Sequence, residues 1–429
     1  MTSAGTTPVR HHLGVRKLLA GADFRGLLAS RLAAQWGDGL FQAGLAGAVL
    51  FNPERHADPA AIAAGFAVLL LPYSVVGPFA GALLDRWDRR RVLVVANLTR
   101  AGFVLLTAAA VGLGMAGLPL YAAALAVTGV SRFAACGLSA SLPHVVAEDH
   151  LVEANAFVTT LGALTSVAGA GCAVGLRELF GEGDGGSSWT TACAVVGSLL
   201  AAALAARFAA GALGPDEVDE PSRTVIAVAL GLLDGARAAW RAPRVAATLV
   251  ALLAHRAAFA ASLLVTLLLM RHSFTDAGPF KAGLAGLGEV AVSGGAGILL
   301  AGLVTDRLVD LLGRRGAVVG ALALAAATQL GLGLPMLLPT VLVAAFPLTF
   351  AGQVVKLCAD AAVQGDVGDG VRGRVFALYD TLFNVTQVAA VSAAAAFVPA
   401  DGRSPGLVLT AAAVYLLGVV CYLLILNRR

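Results

Sequence analysis

Gly81-Ala82-Leu83-Leu84-Asp85-Arg86-Trp87-Asp88-Arg89-Arg90-Arg91 ends one apolar run in a burst of charge and leads straight into another. Residues 61–84 carry no Asp, Glu, Lys, Arg or His, and residues 92–113 carry Arg100 alone. Each run matches the roughly 20 apolar residues that cross the hydrocarbon of a bilayer. A connection this short with four Arg holds its side of the membrane, because Lys and Arg favour the cytoplasm. Asp85 adds a carboxylate that anchoring does not need. It can pair with a neighbouring helix end in one conformation and release it in another.

The same alternation runs the length of the chain. Of 429 residues, 58% are hydrophobic and 13% charged, and the mean hydropathy is +0.83. Soluble domains run near 45–50% apolar and about 25% charged. Twelve apolar runs are expected, at 27–50, 61–84, 92–113, 118–141, 153–176, 189–210, 245–270, 282–303, 316–333, 339–362, 375–398 and 405–426. With the N-terminus inside, nineteen Lys and Arg fall in inner segments and five in outer loops. That asymmetry predicts a multi-pass protein of the cell membrane with both termini cytoplasmic. The expected fold is an all-α integral membrane protein, twelve transmembrane helices in two pseudo-symmetric six-helix halves.

Other classes are poor fits. The net charge of +4 is modest, and the Arg residues sit at the ends of apolar runs, so nucleic acid is not an expected partner. The five cysteines lie inside apolar runs without metal-binding spacing and read as small packing residues. Patterns for zinc hydrolases, nucleophile elbows and phosphate-binding loops are absent, so neither catalysis nor a cofactor or metal is expected.

Organisation follows from the longest connection. Residues 1–26 read as a cytoplasmic N-terminal segment, 27–210 as one six-helix half, 211–244 as a cytoplasmic linker and 245–427 as the other half. The linker opens on an acidic stretch and continues into an amphipathic helix, with Ile226, Leu230, Leu233 and Trp240 on one side and Asp234, Arg237 and Arg241 towards the other. A repeat at an offset of 221 supports the division. It pairs Gly81, Asp85 and Arg86 with Gly302, Asp306 and Arg307, and Thr160 and Thr165 with Thr381 and Thr386. Two parallel repeats with a cavity between them are a transporter architecture.

The 81–91 stretch resembles the loop signature of the major facilitator superfamily, G-x3-D-R/K-x-G-R/K-R/K, with Asp88 in place of the second Gly. A second copy ends in Gly313-Arg314-Arg315 after extra residues. Segments around Leu142–Asn155, Leu230–Pro243 and Val371–Asp380 are similar to the branch that holds drug and macrolide effluxers and a siderophore exporter. Drug antiporters carry G-x3-G-P-x2-G-G in span five. Here Ala170 stands where the Pro would, so the small-residue face is kept without the kink. The resemblance implies a secondary transporter that works by alternating access. Its cargo would be hydrophobic or amphiphilic small molecules, exported in exchange for protons, with the chain acting as a monomer in the bilayer. The alternative is an importer or facilitator of a polar or anionic metabolite.

Intramembrane charges nominate the site, because each is costly unless paired or hydrated. Asp38 lies about eleven residues, roughly 16 Å, from the inner end of span one. Arg132 lies about nine residues, roughly 13 Å, into span four. The resemblance makes spans one, four, seven and ten line the cavity, so Asp38 is expected to titrate, with Arg132 as its partner or as an anion contact. His255 and Arg256 sit mid-span in seven, His255 as a proton relay or a hydrogen-bonded core residue. Lys356 and Asp360, four apart in span ten, can pair on one helix face. Glu289 in span eight either contacts a cation or reaches the outer interface. Arg31 and Arg100 read as interfacial anchors. Gly81, Asp85, Arg86, Arg89 and Arg90, opposite Asp306, Arg307, Arg374 and Asp380, make the expected cytoplasmic gate.

Overall fold

Helix ends follow local signals. Asp88 caps a helix by accepting the Arg90 N–H at 3.1 Å. Ser404 does the same for Leu407, and five helices have Pro in the first turn, where its missing N–H costs no bond. The structure, a computed structural model, describes residues 18–50, 59–84, 87–147, 151–214 and 224–427. Among these there are thirteen α-helices. They are α1 (Ala22–Leu50), α2 (Pro59–Leu84), α3 (Arg89–Gly112), α4 (Leu118–Ser141) and α5 (Leu151–Phe180). Next come α6 (Asp184–Ala192), α7 (Ala194–Ala206), α8 (Thr224–Arg241) and α9 (Pro243–Leu268). The chain closes with α10 (Gly283–Thr328), α11 (Leu338–Asp366), α12 (Asp369–Ala395) and α13 (Pro405–Leu426).

Two of these boundaries need translation into membrane spans. α6 and α7 abut at Cys193 and form one rod. α10 has 46 residues, about 69 Å at 1.5 Å each, more than twice the hydrocarbon thickness. It breaks at Gly313, whose φ of 67° lies in the left-handed region that glycine tolerates, and the two pieces are spans eight and nine. With α8 set aside, twelve rods result, matching the twelve apolar runs. α1 and α12 are not among the rods apolar enough to qualify as spans by composition alone. Their sequences hold Gln35, Asp38 and Gln42, and Asp380, Asn384 and Gln387.

The two halves repeat one packing scheme. α1 packs on α5 and on the α6–α7 rod; α9 packs on α12 and α13 in the same way. α2 packs on α4 as α10 packs on α11, and α3 meets the α6–α7 rod as α10 meets α13. Glycines set the closest approaches. A Cβ at Gly39 would collide with the Ser166 carbonyl of α5, and one at Gly169 with the Trp36 carbonyl of α1. Leu299, Leu303, Leu417 and Leu424 are left exposed on the outer surface, as lipid contact requires.

Between the halves, the main contact is α2 against α12. Ile62 and Ala63 join Leu264, Val265, Val391 and Ala394 in one buried apolar cluster at the end of the bundle away from the Arg-rich loops. α8 lies at the Arg-rich end against α12, α9 and α2. There Asp234 pairs with Arg237 at 3.3 Å and with Arg374 of α12 at 3.4 Å. Leu230, Leu233 and Trp240 on its other side are exposed.

Candidate functional site

A polar cavity of about 370 Å³ lies against the inner wall of the first half. α1 contributes Arg31, Gln35, Asp38 and Gln42, spaced so that they share one face; α4 contributes Ser131 and Arg132. Asp38 is the centre of this wall. Its Oδ1 accepts Arg100 Nη1 at 3.0 Å and Ser131 Oγ at 2.7 Å. Arg100 is 2% exposed and Asp38 17%, so the carboxylate looks onto the cavity while the guanidinium is sealed behind it.

This corrects two expectations. Arg100 is not an interfacial anchor, and it, rather than Arg132, is the ion-pair partner of Asp38. The reason is packing. α3 lies behind α1, and Gly37 leaves room for the guanidinium, since a Cβ there would stand 3.1 Å from Arg100 Nη2. Arg100 is further fixed by Nε donating to Ser198 Oγ at 2.8 Å and by the Ala34 carbonyl. Arg132 stays on the cavity wall and acts electrostatically on Asp380 of α12, across the halves. Arg31 also lines the cavity and donates to Ser139 Oγ at 3.4 Å.

The second half supplies the facing charges. Lys356 Nζ meets Asp360 Oδ2 at 2.7 Å, the self-paired arrangement that a four-residue spacing allows. Lys356 also stands 5.8 Å from the centre of the Tyr379 ring. The Tyr379 hydroxyl and Asp360 Oδ1 are both buried and close enough to interact electrostatically. Arg256 lies flat over Phe383, 3.8 Å from its centroid. Asp380 was expected at the gate. It sits eleven residues inside α12, about 16 Å deep, among Lys356, Asp360 and Arg132.

The other nominated residues are elsewhere. The His255 ring nitrogen Nε2 is 3.0 Å from the Leu348 carbonyl, and the ring packs against Phe259 and Tyr415. That is a core histidine joining α9, α11 and α13. Glu289 reaches the loop before α10, where Oε1 accepts the Lys281 N–H at 3.2 Å. Asp85 and Arg86, and the surroundings of Gly81, lie outside the described residues. Arg89 and Arg90 brace their own half: Arg89 donates to the Ala140 and Leu213 carbonyls, and Arg90 to that of Ala206. Asp306 and Arg307 are exposed and join no ion pair among the described residues. Arg374 pairs with α8, and Asp366 bridges Arg244 at 3.6 Å and Arg314 at 3.8 Å.

Sequence reasoning did not nominate Ser131, Tyr379 or Phe383, and it misplaced Arg100. Arg100 carried a signal, as the only charge in a 22-residue apolar run. The others are ordinary residues of membrane helices and acquire meaning only from their neighbours.

A sequence profile of the Major Facilitator Superfamily matches residues 27–391. An uncharacterized MFS-type transporter of Mycobacterium tuberculosis is 44% identical over 411 residues, 95% of this chain and 92% of the relative. One from Mycobacterium bovis matches with the same figures. Among solved structures, a POT family peptide transporter aligns with TM-score 0.67 at 11% identity, covering 94% of this chain and 96% of the other. The nucleoside transporter NupG aligns with TM-score 0.65 at 12% identity, covering 94% and 97%. Likeness at such identities speaks for the fold.

Proposed function

Because the chain belongs to the Major Facilitator Superfamily and is a membrane transporter, we propose that it exports amphiphilic small molecules in exchange for protons. The observation that carries this is Asp38. It is an acid at mid-depth, compensated by Arg100 and Ser131 on one side and open on the other to the polar cavity along the inner wall of the first half. A carboxylate so placed can exchange protons with the cavity, and the ion pair gives its charged form a partner. Protonation releases Arg100 Nη1 and changes how α1 is held to α3, a local change that rocking of the halves can use. The Lys and Arg bias sets the Arg-rich end in the cytoplasm. The apolar seam of Ile62 and Leu264 then closes the outer side, and the cavity belongs to an inward-facing state.

The excess of cations around the cavity favours a second reading, an importer or facilitator of an anionic metabolite. Inside-out vesicles with an imposed proton gradient separate the two. Gradient-dependent accumulation of an amphiphile panel, abolished in Asp38→Asn, is the result expected for proton-coupled export. Accumulation unchanged in Asp38→Asn removes Asp38 from coupling. Uptake by intact cells with none in inside-out vesicles supports import.

A further inference from the structure

Arg31 and Arg132 line the polar cavity beside Asp38, with Arg100 paired to Asp38 from behind, and the second half carries Arg256, Lys356, Asp360 and Asp380, of which Asp380 lies within the electrostatic reach of Arg132. Compensation among them is uneven. Asp38 is matched by Arg100 and Asp360 by Lys356, while Asp380 lies in the field of Lys356 and Arg132. Arg31 and Arg256 form no ion pair among the described residues, and Arg256 is the one of the two that sits over an aromatic ring. Its guanidinium is stacked on Phe383, and its Nε is buried without a hydrogen-bond partner. Stacking shields the face of a guanidinium and leaves its rim of N–H donors available. That rim fits the two oxygens of a carboxylate. A cation held at this depth without a counter-ion is costly, and a ligand anion relieves the cost.

What adjoins Arg256 describes the rest of the ligand. Leu263, two helical turns on and on the same face of α9, lines an apolar pocket of about 230 Å³ between the halves. Leu267, Leu45, Phe66 and Tyr121 line it too, and Gln42 belongs both to this pocket and to the polar cavity. The polar cavity of the first half therefore continues through Gln42 into an apolar pocket, and that pocket's Leu263 lies on the face of α9 that carries Arg256.

We infer that Arg256 is the docking point for the carboxylate of the cargo, and that the cargo is an amphiphilic organic anion with its apolar body in the pocket lined by Gln42, Leu45 and Leu263. The inference deepens the transport reading and rests on it. The test is binding of 1-pyrenebutyrate against 1-pyrenebutanamide, which share a body and differ in charge. Protein in lipid nanodiscs is titrated with each, reading energy transfer from tryptophan and subtracting empty nanodiscs. The expected result is saturable binding of the acid at least about tenfold tighter than the amide. Arg256→Gln should narrow that preference to about twofold or less, and Arg256→Lys should keep part of it. Phe383→Leu, which removes the supporting ring and no charge, should weaken acid binding more than amide binding. Equal binding of acid and amide, a preference that survives Arg256→Gln, or no saturable binding of the acid overturns the assignment. The titration needs neither gradient nor flux, so it stands or falls separately from proton coupling.

Discussion

At the scale of the residue, the pair of Asp38 and Arg100 has the clearest consequences. Arg100 is 2% exposed and makes four hydrogen bonds to three partners: Asp38, Ser198, and through both terminal nitrogens the Ala34 carbonyl. Removing it takes the charged partner from a carboxylate that is mostly buried but faces the polar cavity, which costs up to about 3 kcal/mol, the low end for a fully buried pair. Arg100→Met should therefore lower the thermal midpoint sharply, and Asp38→Asn in the same chain should recover part of the loss. A double-mutant cycle by thermal unfolding measures it, and additive effects would mean the pair is not coupled. Asp38 was legible in the sequence because a lone acid inside an apolar run has to have a reason. Its partner was not. Counting residues along a helix gives depth, but which helix stands behind α1 is decided by Gly37 and Gly197, whose lack of side chains lets α3 and α7 come close.

Elements in this protein meet through such small residues rather than through large apolar ones. In lipid the hydrophobic effect does not drive one helix onto another, so close fit and buried polar bonds must. Gly169 of α5 presses on the Trp36 carbonyl of α1, whereas Gly171, two residues on, faces open space. The sequence gives both the same weight, as parts of one small-residue face; only the structure separates them. Gly169→Val should overpack the α1–α5 contact and destabilise by about 1–3 kcal/mol or more. Gly171→Ala should be neutral or slightly stabilising, by up to about 1 kcal/mol, as for Gly→Ala in a helix interior. Denaturation of both variants in the same detergent checks the pair, and equal losses would show that α1–α5 proximity does not depend on Gly169. The twelve spans themselves were legible from hydropathy, and the break at Gly313 from the glycine beside Arg314 and Arg315.

At the scale of the whole molecule, the seam between the halves is what the sequence concealed most completely. Ile62, Ala63, Leu264 and Val391 look like any lipid-facing residues, because a bilayer and a protein partner reward the same apolar side chain. In the structure they are buried against one another, away from the Arg-rich end, with the polar cavity on the other side of them. If the halves rock about the cavity, this seam must part when the Arg-rich end closes, and its burial, at roughly 25 cal/mol per Å² of apolar surface, is what holds the present state. Ile62 is 2% exposed, so Ile62→Asp sets an unpaired charge in the seam and penalises the closed arrangement alone. The expected outcome is a population shift towards the opposite state. Spin labels at Thr159 of α5 and Leu303 of α10, both exposed, would report it on a cysteine-free background, their distance distribution moving to shorter values as the Arg-rich end closes. A distribution unchanged by Ile62→Asp would mean that the seam is fixed scaffold, and that access to Asp38 and Arg256 is controlled by the Arg-rich loops instead.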